Sequence, residues 1–198
     1  MISDTVVDPA ALHLPGAAWN TTVNGQAFQQ AALASHRNWQ YTTWWDGQRR
    51  LCIARRKLPD GPWQTIRFTD YLIKSDDTHN VTVLGICAND GTIHLAFDHH
   101  GHSLHYRVSQ RGAATNPQEG SWTADLFGPV TDELQAGKRI SGVTYPRFIP
   151  TPGGNLQLMY RSGGSGNGDW RLADYNPSTG WTRSGIVVSG AGTYGTST

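Results

Sequence analysis

Apolar and polar residues alternate over short stretches that are separated by turn residues, which is the pattern of antiparallel β-strands. The clearest case is residues 79–109. Residues 81–87 form a mostly apolar run, Asn-Asp-Gly at residues 89–91 makes a turn, and residues 92–97 alternate before a polar turn and another short strand at residues 104–108. We therefore predict three strands joined by tight turns in this segment.

The composition favours an all-β fold and argues against several partners. The 198 residues include 23 glycines, 10 prolines, 8 tryptophans and 7 tyrosines, and the best helical candidate, residues 26–35, is short. No apolar run approaches the roughly 20 residues that cross a bilayer, so we expect no membrane partner. The 16 basic and 15 acidic residues nearly cancel, which argues against a nucleic-acid partner.

Three local features add detail to the predicted fold: a basic run, the two cysteines and the first residues of the chain. A basic run lies within residues 49–57, and because apolar Leu51 and Ile53 alternate with its charges, we predict solvent-facing strand positions there. Cys52 and Cys87 lie in apolar strand runs and are predicted to be buried free thiols rather than a disulfide. The first residues lack the basic start and apolar core of a secretion signal.

The chain contains an internal repeat. Trp63, Trp122 and Trp181 are each 59 residues apart, and a group of predicted strands precedes each of them, the second group ending in a strand at residues 121–127. Antiparallel units at such a period are typical of propeller blades, with loop insertions beyond the usual period of about 40–50 residues. We predict an N-terminal segment followed by a partial propeller: residues 1–35, then residues 36–198 with blades at roughly 36–70, 76–128 and 140–190.

The number of blades predicts a fragment. Propellers close with about 4–8 blades because closure protects the strand edges, whereas about three units fit within residues 36–198. The sequence then ends in GAGTYGTST, without a further strand. We therefore expect a β-propeller fragment that is truncated on its C-terminal side.

Six of the eight histidines lie within residues 79–105, at strand ends and turns, which suggests acid–base chemistry or metal binding. No helical HxxxH or CxxC pair accompanies them, and His99 and His100 point to opposite faces of a strand, so they do not easily share one ion. We predict no metal in catalysis, and a structural metal ion that uses one histidine and ligands from elsewhere stays open.

One constellation spans two blades. His79 opens the inner strand of the second unit and His99 ends the next strand, while Tyr145 and Arg161 occupy the corresponding places in the third unit. In a hairpin these two points lie at the same rim of the sheet. We therefore predict that the four polar side chains converge on one mouth of the propeller.

The segment DDTHNVTVLGICANDGTIHLAFDHHGHSLHYRVS, together with VTYPRF and LMYRSGG, resembles BNR-repeat proteins related to the seven-bladed propeller ulvan lyases, over roughly residues 36–190. This resemblance implies a total of seven blades and a polysaccharide lyase that cleaves a sulfated, uronic-acid-containing polymer by β-elimination. It also implies an acidic polysaccharide partner, no catalytic cofactor, an extracellular or periplasmic location, and a monomer when full length.

The resemblance also implies roles for individual residues. By motif and spacing, the catalytic histidines fall on His79 and His99, the catalytic tyrosine on Tyr145, and the carboxylate-binding arginine on Arg161. His100 competes with His99, because a register slip of one residue exchanges them. His100 and Asn80 are otherwise substrate-binding residues. Either His79 or Tyr145 is the base, and the acid that protonates O4 is the same group or the other.

Two rival functions stay open. A BNR-type glycoside hydrolase requires two carboxylates at one rim, whereas the candidate acids, Asp76, Asp77, Asp90 and Asp98, all occupy predicted turns. A non-catalytic carbohydrate-binding propeller could use Trp39, Trp44 or Trp45 as stacking platforms. We interpret these tryptophans as packing residues between blades.

Overall fold

A computed structural model of the chain describes residues 4–17, 21–26, 29, 31–117, 121–163 and 168–190. Within these ranges the regular structure is β-strand apart from one short 3-10 helix, Ala124–Leu126. The strands pair antiparallel into separate sheets, as the blades of a propeller do. The predicted all-β propeller fold is confirmed.

The strands fall into four sheets. The first has the order β1-β2-β3-β4, made of Leu33–His36, Trp39–Trp45, Arg50–Lys57 and Gln64–Leu72. The second has the order β5-β6-β8, made of Thr82–Ile86, Ile93–Phe97 and Tyr106–Val108. A two-stranded sheet pairs β9, Glu133–Gln135, with β10, Lys138–Arg139. The third large sheet has the order β14-β13-β12-β11-β7, made of Gly180–Val188, Asp169–Asn176, Leu156–Ser162, Val143–Pro150 and His100–His102.

Strand β7 belongs to the sheet of the third unit, although it lies within the second unit in sequence. It lies between β6 and β8 in sequence, yet it pairs with β11, so that His102 is opposite Val143 and His100 is opposite Thr144. A strand from the second unit is thus the edge strand of the sheet of the third unit. Residues from both units come together at this seam.

The structure decides against a helix in the described end of the candidate segment and corrects one predicted strand. Leu33–His36, at the end of the candidate helix, is strand β1 paired with β2; residues 27–28 and 30 lie outside the described residues. Residues 121–127 contain the 3-10 helix instead of a strand. Trp122 is buried there and packs 6.0 Å from the Tyr41 ring and 6.1 Å from the Phe127 ring. Burial of the indole therefore governs this segment more than strand pairing does.

The basic run is only partly solvent-facing. Arg55 is 1% exposed, and its guanidinium lies 4.9 Å from the Trp39 ring and 4.6 Å from the Trp122 ring. Its Nε donates to Gln64 Oε1 at 2.8 Å. The prediction of an exposed position is wrong for Arg55, because two aromatic faces and an amide oxygen replace the water that a buried guanidinium loses.

Both cysteines are buried free thiols, as predicted. Burial raises the pKa of Cys52 to about 12 and also raises the pKa of Cys87. Neither is therefore a reactive thiolate at neutral pH.

A buried chain of hydrogen bonds joins the second and third sheets. Trp181 Nε1 donates to the Tyr106 hydroxyl at 3.0 Å, and that hydroxyl lies 2.6 Å from His94 Nδ1. On the other side of the ring, His94 Nε2 lies 2.7 Å from Thr92 Oγ1, which donates to Asp90 at 2.7 Å. Because the Thr92 hydroxyl donates its hydrogen to Asp90, His94 must donate from Nε2 to Thr92 and accept at Nδ1 from Tyr106. The network therefore requires a neutral imidazole.

This network predicts acid sensitivity. Burial lowers the pKa of His94 from 6.5 to about 3, so between those values the unfolded chain binds one more proton than the folded chain. The contribution of neutral His94 to the free energy of unfolding is fully present above about pH 6.5. It falls by about 1.4 kcal/mol per pH unit as the pH drops below that value. We expect His94→Gln to give a shallower loss of unfolding free energy than wild type, by about one proton, in urea titrations between about pH 6 and pH 4. Exposed His13, changed to Gln, is the control, and equal slopes for wild type and His94→Gln would contradict the assignment.

Candidate active site

The seam between the second and third sheets aligns the candidate residues across three strands. Thr144 on β11 is opposite His100 on β7 and opposite Arg161 on β12. His100 and Arg161 therefore flank the same point of β11, one on each side. Tyr145 is the next residue along β11, so the pairing register brings an imidazole, a phenol and a guanidinium to one place.

A β-bulge sets the direction of Tyr145. Between the pairs Thr144–Arg161 and Arg147–Met159, two residues of β11 face one residue of β12. Pro146 has no N–H for the ladder, which favours a bulge here, and Tyr145 has a positive φ of 50°. Such a conformation is strained for a bulky residue and is found mainly at functional sites. It leaves the Tyr145 ring 6.1 Å from the His79 ring and 6.0 Å from the His100 ring.

Asp77 holds two imidazoles with one carboxylate. His79 Nδ1 lies 2.5 Å from Asp77 Oδ1, and His100 Nδ1 lies 2.6 Å from Asp77 Oδ2. The two rings are stacked, with centroids 4.4 Å apart and planes 23° apart. The carboxylate is thus the common acceptor that fixes both rings side by side.

The charge of Asp77 assigns the tautomers. Burial alone would raise its pKa, but hydrogen bonds from the His79 backbone N–H and from the His100 and His79 rings lower the pKa to about 2. An ionised carboxylate only accepts hydrogen bonds, so both Nδ1 atoms carry hydrogen. Each neutral ring then has its lone pair on Nε2, the position from which it can take a proton.

Arg161 brings a positive charge that has hydrogen bonds left to make. Its guanidinium carbon lies 5.0 Å from the centroid of the Tyr145 ring. Its Nε and Nη2 are buried and find no acceptor among the described residues. Buried N–H groups without a partner are rare, because each costs about 1–3 kcal/mol. An acceptor on a bound ligand would satisfy these donors once the side chain turns toward it.

His99 lies beneath the site and not in it. It is 1% exposed, its Nε2 accepts from the His105 backbone N–H at 2.8 Å, and its ring stacks on His105. Burial first, and then the nearby charges of His105 and His102, hold its pKa well below 6.5. Of the two adjacent histidines, the structure places His100 against His79 and Tyr145.

Asn80, predicted to bind substrate, is fully buried. Its Nδ2 donates to Asp98 Oδ1 at 2.5 Å, and its backbone carbonyl accepts from Trp45 Nε1 at 2.8 Å. Full burial does not permit direct contact with a polymer in solvent. Asn80 instead fixes the turn at Asp98, which comes directly before the two histidines.

The structure therefore brings together His79, His100, Tyr145 and Arg161, with Asp77 behind the imidazoles, and leaves His99 and Asn80 in the layer below. Asp77 was missed as a site residue because the sequence places it in a turn. Its position two residues before His79 is the signal that could have identified it. Asp and Asn side chains commonly accept a hydrogen bond from the backbone N–H two residues later in the chain. Here Asp77 Oδ1 does accept from the His79 backbone N–H, at 2.9 Å.

A cleft of about 500 Å³ adjoins this cluster. It is lined by Tyr71, Lys74, Ser75, Asp98, His102 and His105, among others. Ser75 Oγ accepts from the Asp77 backbone N–H, and His102 Nδ1 accepts from the His100 backbone N–H. None of the cluster residues lines the cleft, whose walls are more apolar than polar, and these two backbone contacts are what connect it to Asp77 and His100. Within the described residues, no helix has the length and apolar character to cross a membrane.

Comparisons with known proteins bear on this arrangement. The chain is 27% identical over 187 residues to the long isoform of ulvan lyase from Alteromonas sp. (strain LOR), which covers 75% of this chain and 18% of that protein. It is 25% identical to the short isoform from the same strain, covering 91% and 45%. The chain thus spans less than half the length of these relatives.

Solved structures show the same fold. The polysaccharide lyase Uly1 superimposes with a TM-score of 0.77 at 22% identity, covering 92% of this chain and 50% of that one. An ulvan lyase structure bound to -[GlcA(1-4)Rha3S]- gives a TM-score of 0.60 at 16% identity, covering 81% and 38%. The sequence also matches the profile of the BNR repeat-containing family over residues 39–194. Since this match covers most of the chain, the protein belongs to the BNR repeat-containing family.

Proposed function

We propose that this chain carries the active site of a polysaccharide lyase that cleaves an ulvan-like, sulfated, uronic-acid-containing polysaccharide by β-elimination. The observation that carries the proposal is the partly buried Arg161 side chain, which lies next to the Tyr145 ring and across β11 from His100. Its Nε and Nη2 find no acceptor among the described residues. The ulvan lyases among its relatives and the polysaccharide lyases among its structural neighbours support it.

Arg161 neutralises the uronate carboxylate in this proposal. β-Elimination removes the proton at C5 of the uronate, and the carbanion that forms spreads its charge onto the adjacent carboxylate. The planar guanidinium can grip that carboxylate through two parallel N–H···O bonds. A preorganised contact to developing charge is worth about 3–4 kcal/mol in a site of this kind. The unmet Nε and Nη2 of Arg161 are donors of the required type.

His79 and Tyr145 transfer the protons. The Nε2 lone pair of His79 takes the C5 proton, and the ionised Asp77 at Nδ1 stabilises the imidazolium that forms. As the C5–H bond breaks, the C4=C5 double bond forms and the bond from C4 to O4 breaks. The Tyr145 phenol gives its proton to the departing O4. Each transfer contributes roughly 10²–10⁴-fold to the rate.

His100 is the second imidazole on the same carboxylate, and in this proposal it orients the sugar. It is stacked on His79, and its ring centroid lies 6.0 Å from that of Tyr145. The steps need only proton transfer and charge neutralisation, so we propose no catalytic cofactor. We propose that the full-length protein is a monomer, acting on its polymer outside the cytoplasm.

The two rival functions find less support in the contacts. Trp44 and Trp45 are 6% and 0% exposed, so neither offers a free face to a sugar ring, and Trp39 packs on Arg55. A retaining or inverting glycosidase needs a pair of carboxyl groups flanking the bond. In the cluster, both oxygens of Asp77 are engaged by imidazoles.

The first test is the product itself. We expect the intact protein to release from ulvan an unsaturated product that absorbs in the near ultraviolet, and Tyr145→Phe to lower the rate by roughly 10²–10⁴-fold because the proton donor to O4 is lost. Tyr41→Phe is the control, because it removes a buried hydroxyl of the first sheet that has no hydrogen-bond partner among the described residues. New reducing ends without that absorbance would mean hydrolysis. Binding without turnover, unchanged in Arg161→Ala, would mean a carbohydrate-binding module.

The second test concerns the charge on Arg161. We expect Arg161→Lys to lower kcat/KM by roughly 10²–10³-fold, since an ammonium keeps the charge but loses the fork that matches a carboxylate. Arg161→Ala should lose more. Arg183→Lys on β14 is the matched control, because this exposed arginine donates to the carbonyls of Lys138 and Arg139, outside the cluster. Equal activity of Arg161→Lys and wild type would contradict carboxylate binding.

The third test concerns Asp77 as a positioning residue. We expect Asp77→Asn to lower kcat by roughly 10²–10⁴-fold with little change in KM, because an amide can donate to Nδ1 and so leave the proton on Nε2, where the base needs a lone pair. Asp76→Asn is the control, since Asp76 is exposed and pairs with Arg49. A loss confined to KM would show instead that Asp77 serves only to bind the polymer.

A further inference from the structure

We propose that Asp77, His79 and His100 form a binding site for a single divalent transition-metal ion of the zinc class, and that the ion switches off the proton transfer assigned above. Metal binding is independent of the proposed lyase function, whereas the inhibition rests on it.

The donor set is of the type that zinc takes. One ligand atom from each residue, two imidazole nitrogens and one carboxylate oxygen, lies within 4.8 Å of the others. Two histidines and one carboxylate make a three-ligand zinc site in which the fourth position is left to water. All three side chains come from this chain, unlike the structural site considered from the sequence, which needed ligands from elsewhere.

The site is open to solvent and its carboxylate is held in place. The side chains of His79, His100 and Asp77 are 22%, 26% and 33% exposed, which provides an entry path. The His79 backbone N–H donates to Asp77 Oδ1 at 2.9 Å, and the Asp77 backbone N–H donates to Ser75 Oγ at 2.9 Å. Such outer hydrogen bonds orient a ligating carboxylate and raise metal affinity.

The rings need only a small movement to accept the ion. Zinc binds nitrogen and oxygen at about 2.0–2.2 Å, which in a tetrahedron puts the ligand atoms roughly 3.4 Å apart. The two Nδ1–carboxylate distances are now 2.5 and 2.6 Å. Each ring therefore retreats by about 1 Å, and the ion takes the place of the two hydrogens that now lie between the rings and the carboxylate.

The proton balance explains the inhibition. Each imidazole gives up the hydrogen on Nδ1 to bind the ion and takes one from solvent on Nε2, so both rings stay neutral and no net proton is released. The lone pair that faced the substrate is thereby lost from His79. The same ring cannot both ligate the ion at Nδ1 in its neutral form and accept the C5 proton at Nε2.

Metal binding is tested on the chain without reference to activity. After treatment with EDTA and its removal, the protein is titrated with Co²⁺ and followed by visible absorption, and then with Zn²⁺ by calorimetry. We expect one ion per chain, with the absorption of a four-coordinate cobalt site. Asp77→Asn, His79→Ala and His100→Ala should each weaken binding at least about tenfold. His13→Ala and Asp76→Asn are the controls, and circular dichroism melting checks that every variant is folded.

Each outcome decides the proposal. One-to-one binding that all three cluster variants weaken, and both controls keep, supports it. No cobalt spectrum at millimolar metal, or binding that the cluster variants leave unchanged, overturns it. If cobalt binds as expected but the chain shows no lyase activity, the proposed function fails and the metal site stands. If the chain is active and added Zn²⁺ at saturation does not inhibit it, the inhibitory role fails.

Discussion

The turn at Asp98 is the constraint on which the site depends. Asp98 has a positive φ of 62°, and its carboxylate is held by Asn80 Nδ2 and by the Tyr71 hydroxyl, each at 2.5 Å. A left-handed residue between β6 and β7 redirects the chain from one sheet to the next, so that His99 turns into the core and His100 pairs opposite Thr144. With ordinary strand geometry here, β7 would continue its own blade and the cluster would not form.

Asp77 gives the cluster its chemistry, because two imidazoles share its carboxylate. As an acceptor, it keeps the hydrogen of each ring on Nδ1 and the lone pair on Nε2, which suits proton transfer. As a metal ligand, it would draw the same nitrogens into coordination and remove that lone pair. The two states use the same three side chains and exclude one another. Tyr145 and Arg161 stand outside this choice, since neither is a zinc ligand of the usual kind.

The sequence predicts the strands well where apolar and polar positions alternate, as in β5 and β6. It also predicts that His79, Tyr145 and Arg161 lie at one rim, because hairpin geometry alone brings strand starts and following strand ends together. It does not separate His99 from His100, since a single left-handed residue decides which ring faces the site. The sequence does not identify Asp77 as a site residue either, because its role depends on contact with His100, which lies 23 residues later in the chain. At residues 121–127 the sequence predicts a strand that does not form, because burial of Trp122 decides the local backbone.

The positive φ of Tyr145 has a consequence for engineering. A bulky residue in that conformation costs about 1–3 kcal/mol relative to glycine, and the rest of β11 must hold it there. The protein therefore gives up thermostability to aim one aromatic ring. Directed evolution for heat resistance alone would tend to replace this tyrosine by glycine or asparagine, and selection for turnover would restore it.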